Sequence, residues 1–371
     1  MAIIESEQQY ETPLSIYRRG GFIVRYAYSR SADAQEVKIP GEDYFVFKVE
    51  AQRIAFALAD GVGSSFMGNI GAQIVAETAR EWLWTAAETS NETSIDASLI
   101  NEGLTKCLND KLNIANSLLM SIKLEGDYNQ GVYQAFRKKR DQSGTQANLL
   151  CGMIELPSQQ NHSRGRVWLT GLGDAHLRCW SKDQEITTND LTGIYSPGMG
   201  WSSKSGVIGE IHSYCTDLDH LDKILLYSDG LNPAHDFLKP GIPAKAINEL
   251  IEKIQTTPDS DDISFLEITV DASAMSNDII ETLHQIRSSA SWFLFPQENN
   301  TGKEQDALSG PEHKELPVEH EIEPITPEDE KPQTQKIGNW LSIIAVLSLL
   351  AATGFVFGFY FFKILFDSLL K

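Results

Sequence analysis

Apolar and polar positions along the chain follow two rhythms. Phe22-Ile23-Val24-Arg25-Tyr26 is rich in β-branched and aromatic residues, and Tyr44-Phe45-Val46-Phe47-Lys48-Val49 alternates in part; both predict strands. Ala55-Phe56-Ala57-Leu58-Ala59 is apolar throughout, which predicts a buried strand over 53–59 that stops at Asp60-Gly61-Val62-Gly63. The period then changes. Ile70, Ile74, Val75, Thr78, Trp82 and Leu83 share one face at 3.6-residue spacing, the mark of an amphipathic helix. Leu104, Leu108, Ala115, Leu119 and Ile122 fit one stripe and predict a single long helix over 95–123. Strand patterns return at Gly144–Cys151, at Val167–Thr170 and at His176–Trp180, the last two flanking a turn, Gly171-Leu172-Gly173-Asp174. Ile224-Leu225-Leu226-Tyr227 runs into Ser228-Asp229-Gly230, a helix is expected over 244–254, and a strand over 263–270 follows Asp261-Asp262. A last amphipathic helix is expected over 278–295, with Ile279, Leu283, Ile286 and Phe293 aligned. Residues 181–205 are polar and rich in Gly, Ser and Thr, and read as a mobile loop or small subdomain that can carry substrate contacts.

Beyond this the character changes, which bounds a folded domain at 1–295. From Gln297 to Pro332 eleven acids face three lysines, prolines recur and aromatics are missing. Such a segment buries too little apolar surface to fold, so 296–338 reads as a disordered, self-repelling tether. Leu341–Phe362 then runs for 22 residues without a charge. At about 1.5 Å per residue it matches a hydrocarbon core of about 30 Å. Trp340, Tyr360 and Lys363 sit where interfacial residues sit. A single transmembrane helix is therefore expected over 339–363, followed by a short tail, 364–371. Gly354 and Gly358 form a GxxxG pair, a weak signal for helix dimerisation that also arises by chance in apolar segments.

The formal net charge of −20 argues against nucleic acid as a partner and against docking on anionic lipid through the domain surface. Cys107, Cys151, Cys179 and Cys215 are scattered without metal-ligand spacing, and read as free thiols. The first residues are acidic and lack the basic start of a signal peptide. Lysines flank both ends of the apolar span, so the charge rule does not orient it. The thiols and the missing signal favour a C-terminally anchored, single-pass protein whose domain faces the cytoplasm. Tyr128–Gln142 contains Arg137-Lys138-Lys139-Arg140, read either as a solvated face or as a patch for an acidic partner.

Candidate chemistry lies in the acids. Asp-Gly after an apolar run is also the commonest hairpin signal, so Asp60 or Asp229 alone carries little. Glu42, Asp43, Asp60, Asp174, Asp229 and Asp261, however, all stand at strand boundaries, and Gly accompanies several of them. Carboxylates that converged would repel one another, so convergence implies a hard divalent cation held by oxygen ligands. The histidines show no HxxxH or HExxH spacing, and His176 reads as packing beside a site. Ser64-Ser65 reads as a helix N-cap.

Asp60-Gly61-Val62-Gly63, Gly173-Asp174, Ser228-Asp229-Gly230 and Asp261-Asp262-Ile263-Ser264 stand in the order and approximate spacing of the protein phosphatase 2C-like family, which their pattern resembles. Glu42-Asp43 is similar to its N-terminal acidic pair, and Gly144-Thr145-Gln146-Ala147 to its Gly-Ser/Thr-x-Ala step. The resemblance spans about residues 20–270. It implies an α+β fold, a four-layer α-β-β-α sandwich of two antiparallel sheets flanked by helices. It implies two Mg²⁺ or Mn²⁺ ions and a third, weaker site. Asp60 would bridge both ions, Gly61 would ligate one through its carbonyl, and Asp229 and Asp261 would complete the set. Glu42 and Asp43 would bind through water or brace the ligands, and Asp174 would serve the third site. Asp60, Asp229 and Asp261 are thus the candidate catalytic acids.

The activity so implied is hydrolysis of phosphoserine and phosphothreonine in proteins, by a water that bridges two cations. Phosphoryl transfer needs mainly positioning and charge stabilisation, so no protein nucleophile is required. The chain departs from the pattern at Lys38, where the family usually has a phosphate-gripping Arg. Lysine pairs with phosphate without the bidentate fork. Arg30 and Arg25 are alternatives for that role. Val62 stands where some members have His, and the loop after Asp174 has little family signal. A pseudophosphatase that binds or senses a partner at the membrane is the alternative reading.

Overall fold

The computed structural model describes residues 1–89, 97–123, 130–157, 165–181, 183–218 and 221–271. The helix expected over 278–295, the tether, the membrane helix with its Gly354–Gly358 pair, and the tail lie outside these residues. Among the described residues, no helix is long and apolar enough to cross a membrane.

Strands β1 (Ala2–Glu5), β4 (Tyr44–Val49), β5 (Arg53–Gly61) and β6 (Gln146–Glu155) pair in that order. At its start β6 also pairs β10 (Gly200–Ser202), which pairs β11 (Gly206–Ile208); further along it pairs β7 (Arg166–Leu172), which pairs β12 (His212–Asp217). The second sheet runs β2 (Thr12–Arg19), β3 (Phe22–Ser29), β14 (Ile263–Val270), β13 (Lys223–Tyr227), β8 (His176–Ser181) and β9 (Gln184–Ile186). The neighbours in both sheets are antiparallel, as the resemblance implies.

Strand β5 shows why the layers stack as they do. Ala55, Ala57 and Ala59 face α2 (Gly68–Thr89) and pack with its Ala72, Val75, Ala76, Ala79 and Leu83. Small residues on both sides let helix and sheet approach closely. Ile54, Phe56 and Leu58 point the other way and fill the space between the sheets with Phe22, Val24, Leu226 and Leu266. Such a strand is buried on both faces, so its sequence is continuously apolar. A third core joins the second sheet to α7 (Ala244–Gln255) through Tyr227, Phe265, Ile247 and Ile251. Helix, sheet, sheet and helix are thereby held by three separate apolar layers.

One expectation is corrected and one choice is narrowed. The single helix over 95–123 is two, α3 (Ala97–Asn109) and α4 (Leu112–Ser121), although Leu104, Leu108, Ala115 and Leu119 are buried as the stripe requires. The break falls where the β10–β11 hairpin engages the end of α3. The Trp201 indole N–H donates to the Leu108 carbonyl (3.1 Å), and Val207 N–H donates to Asn109 Oδ1 (2.9 Å). Of the two readings of residues 181–205, the single loop falls: the stretch holds β9, α6 (Asn189–Ile194) and β10, in keeping with the small-subdomain alternative. Trp201, wholly buried, anchors this otherwise polar stretch in the core.

Candidate metal centre

One end of the sandwich is where the chain passes between sheets. The β3–β4 connection, which contains α1 (Ala32–Val37), and the β7–β8 turn both cross there. Register brings the acids to this end. β5 pairs Asp60 with Asn148 of β6. β13 pairs Tyr227 with His176, which sets Asp229 opposite Asp174 beyond the strand ends. Tyr227 also pairs with Phe265, so the Asp229 turn meets the start of β14 and Asp261. A cleft results, lined by Glu42, Asp60, Gly61, Asp174, Asp229 and Asp261, with Gln146, Asn148, Met199 and Trp201 on another side.

Electrostatics report the convergence. Asp60 is held well above the usual carboxylate range, by burial first and then by Asp229, Asp261 and Asp174. Asp229 is pushed up to about 6 by burial, Asp261 and Asp174, against the Gly230 N–H. Glu42 is pushed up to about 7, mostly by burial, with Asp262 and Asp261 adding to it and Lys139 opposing. Asp43 is buried behind the cleft and raised by burial, Asp60 and Asp262. Its Oδ2 has no hydrogen-bond partner. Acids in such a set must hold protons or accept a cation.

Neighbouring residues fix this geometry. Asp262 is buried; it accepts from Ser31 N–H (2.5 Å) and from Glu42 N–H, tying the β3–β4 connection to β14. Ser228 Oγ accepts from Ser264 N–H (2.9 Å) and donates to the Asp262 carbonyl (3.2 Å). Gly230 passes so near Asp262 that a Cβ would lie 2.1 Å from its carbonyl oxygen. Gly61 is packed likewise, 2.5 Å from the Glu42 carbonyl oxygen if it had a Cβ. Asn148 Nδ2 donates to Asp174 Oδ1, and Gly173, at φ +118°, leaves room for the Asn148 side chain. Neither Asp-Gly is therefore a hairpin turn; each glycine permits a close backbone approach.

Sequence reading did not single out Asp262, Asn148 or Ser228. Their signal was adjacency to a candidate acid or to the Gly-Thr-Gln-Ala step. Ser65 is not an N-cap, since α2 begins at Gly68; its Oγ accepts from Gln146 N–H (3.2 Å) instead. His176 stacks between Tyr195 (5.2 Å) and Tyr227 (5.0 Å), with His235 against it at 5.6 Å. Burial and then His235 lower its pKa. All four cysteines are free, and burial raises the Cys151 and Cys179 thiols far from thiolate formation at neutral pH.

Lys38 ends α1 in the left-handed region (φ 57°), is exposed and does not line the cleft. Arg30 is engaged by Glu11 (2.7 Å) and the Ile39 carbonyl (3.1 Å). Arg25 forms a buried ion pair with Glu267 (2.8 Å).

The donor set suits Mg²⁺ or Mn²⁺: hard oxygens from strand ends, a Gly61 backbone cradle, and an orphaned buried oxygen on Asp43. Among the described residues, no three acid, His or Cys side chains close directly around one point. A cation here would keep several waters, as Mg²⁺ usually does.

A family model described as protein phosphatase 2C matches residues 32–267, and the chain belongs to that family. Its members hydrolyse phosphoserine and phosphothreonine in proteins. Comparison with curated proteins found no match. Similar solved structures include RsbX in complex with magnesium, 16% identical over 69% of this chain and 99% of that one, TM-score 0.43. Serine/threonine phosphatase Stp1 from Staphylococcus aureus is 14% identical over 68% and 97%, TM-score 0.40. Serine-threonine phosphatase 2C from Toxoplasma gondii is 11% identical over 70% and 98%, TM-score 0.42.

Proposed function

We propose that this chain is a metal-dependent protein phosphatase acting on phosphoserine and phosphothreonine. The observation that carries the reading is the convergence of Asp174, Asp229 and Asp261 on Asp60 from separate strand ends. Asp60, Asp229, Asp261 and the Gly61 carbonyl would hold two divalent cations, with Asp174 serving a third, weaker position. When bound, such ions neutralise charge on phosphoryl oxygens and acidify water. The protein's part is to orient. Asp262 holds Glu42 and Ser31 by their N–H groups, Ser228 locks the Asp229 turn onto β14, and Asn148 aims Asp174. Asp43 and Glu42 sit behind and beside Asp60, where they can accept protons or orient bound water.

The test is hydrolysis of a phosphothreonine peptide by the full chain in detergent, with and without Mn²⁺, beside Asp229→Asn. Mn²⁺-dependent turnover lost in the variant supports the reading. Calorimetric Mn²⁺ binding without turnover would favour the pseudophosphatase. Neither binding nor turnover would leave the acids as turn residues.

We further infer, from the sequence of 339–363, that the domain is tethered to a membrane from its cytoplasmic side. Recovery of the full chain in the membrane fraction after alkaline washing tests this, and release into the supernatant would sink it.

A further inference from the structure

A cleft walled by carboxylates must still receive a phosphate dianion, and none of its described lining residues is Lys or Arg. Lys38, Arg30 and Arg25 are placed elsewhere, as shown above. One cation does reach the mouth. Lys139 Nζ donates to the carbonyl of Gly63 (3.1 Å), and Gly63 lines the cleft. A Cβ on Gly63 would lie 3.0 Å from Glu42 Oε2, so the ammonium stands beside the acid cluster, and its charge acts on Glu42.

The chain fixes Lys139 there. Helix α5 (Gln130–Lys138) ends in a π-helical turn, Lys139–Ser143, closed by Gly144 N–H donating to the Lys139 carbonyl (3.0 Å). Gly144 accepts from Phe66 N–H (2.8 Å), and Gln146 accepts from Val62 N–H (3.0 Å), so the turn is tied to the loop after Asp60. Two of its basic neighbours are occupied: Arg137 and Arg140 both reach Asp141, at 3.5 and 3.2 Å. An ammonium has three donors, and one of those of Lys139 goes to Gly63.

We propose that Lys139 is the residue that grips the substrate's phosphoryl group at the cleft mouth, in the role the family pattern gives to the position of Lys38. The inference rests on the phosphatase reading for its substrate class. It also assigns a purpose to the basic run at 137–140, in which Lys139, the first residue of the π turn, reaches the cleft rim.

The experiment uses the full chain in detergent with Mn²⁺, as wild type, Lys139→Ala, Lys139→Arg and Lys38→Ala. It measures kcat and KM on a phosphothreonine peptide, and the Kd of inorganic phosphate by calorimetry. A charge-assisted hydrogen bond predicts that Lys139→Ala raises KM and the phosphate Kd about tenfold, with kcat changed less than about threefold. Lys139→Arg should restore both. Unchanged KM and phosphate affinity in Lys139→Ala overturn the proposal, as does a loss confined to kcat, which would mark a loop brace. A loss seen in Lys38→Ala and not in Lys139→Ala overturns it too. If the wild type turns over no phosphoester, the phosphatase reading fails separately. Phosphate binding that weakens in Lys139→Ala would then still support the anion site; phosphate binding that is absent or unaffected would overturn it.

Discussion

Two strand ends of the same grammar, Asp60-Gly61 on β5 and Asp229-Gly230 after β13, meet across the cleft from different sheets. Their surroundings differ. Asp60 faces three other aspartates, Asp229, Asp261 and Asp174, and is driven well above the usual range. Asp229 is less deeply buried and is pushed only to about 6, with the Gly230 N–H and its own N–H also favouring its charge. After Asp60 the chain passes through a loop into α2; after Asp229 it winds into a 3₁₀ helix, Asp229–Phe237. The lesson is that one carboxylate is the electrostatic centre of the site and the other a partly stabilised flank.

The largest effect expected from this asymmetry is on turnover. Asp60→Asn should lower kcat by at least about 10²–10³-fold in saturating Mn²⁺, the scale for loss of one charge-stabilising group. Asp229→Asn should be similar in turnover but unlike in stability. Without metal, each substitution removes like-charge repulsion, so each melting temperature should rise, more for Asp60→Asn. Calorimetric melts in EDTA check this. An equal rise would erase the comparison, and a fall in both would show that the carboxylates do not repel in the folded state.

The glycines give the next effect. Gly230→Ala would place a Cβ 2.1 Å from the Asp262 carbonyl oxygen, and Gly61→Ala one 2.5 Å from that of Glu42. Both obstacles are backbone, so both turns must open. Overpacking of this kind costs about 1–3 kcal/mol or more, and urea denaturation should rank Gly230→Ala as the worse.

Much of this was legible in the sequence for a physical reason. Continuous apolar runs such as 55–59 and 224–227 mark strands buried on both faces, and an acid with glycine at such an end marks a place where backbones crowd. What was not legible depends on contacts distant in sequence. Asp262 reads like Asp261, yet it is buried and accepts two backbone N–H groups while its neighbour is exposed to the cleft. The break between α3 and α4 is set by Trp201 and Asn109 across a gap of about a hundred residues, which helical periodicity cannot reveal. Lys139 lay in a run whose composition reads equally well as a solvated face, and what marks it out is a bond to Gly63, 76 residues away in sequence.

Proton linkage gives a smaller, graded effect. Glu42 titrates near 7 rather than 4.5, and Asp229 near 6 rather than 3.8. Between about pH 4 and 7 these two acids therefore bind more protons in the metal-free folded state than in the unfolded chain, and their contribution to stability falls as pH rises through that window. A cation competes with those protons, so the rise in melting temperature on adding Mn²⁺ should be larger at about pH 8 than at about pH 5. A metal-free protein that gains stability from about pH 5 to 7 would contradict the electrostatic account of the cluster.

The smallest effect separates the two strand ends by their serines. Ser65 and Ser228 are both buried, and each bonds the strand opposite its aspartate. Ser65 Oγ accepts one bond, from Gln146 N–H at 3.2 Å. Ser228 Oγ accepts from Ser264 N–H at 2.9 Å and also donates to the Asp262 carbonyl at 3.2 Å. Ser65→Ala leaves one buried N–H unpaired, which costs about 1–3 kcal/mol before relaxation; Ser228→Ala leaves an N–H and a carbonyl short and should cost more. Asp43 also loses a polar neighbour that favours its charged form in Ser228→Ala, so Mn²⁺ affinity should weaken there and hold in Ser65→Ala. Urea melts and Mn²⁺ titrations on the two variants measure both quantities. Equal losses would mean that the Asp229 end is braced no more tightly than the Asp60 end, and that its milder electrostatics arise from shallower burial and the two backbone N–H groups rather than from the brace.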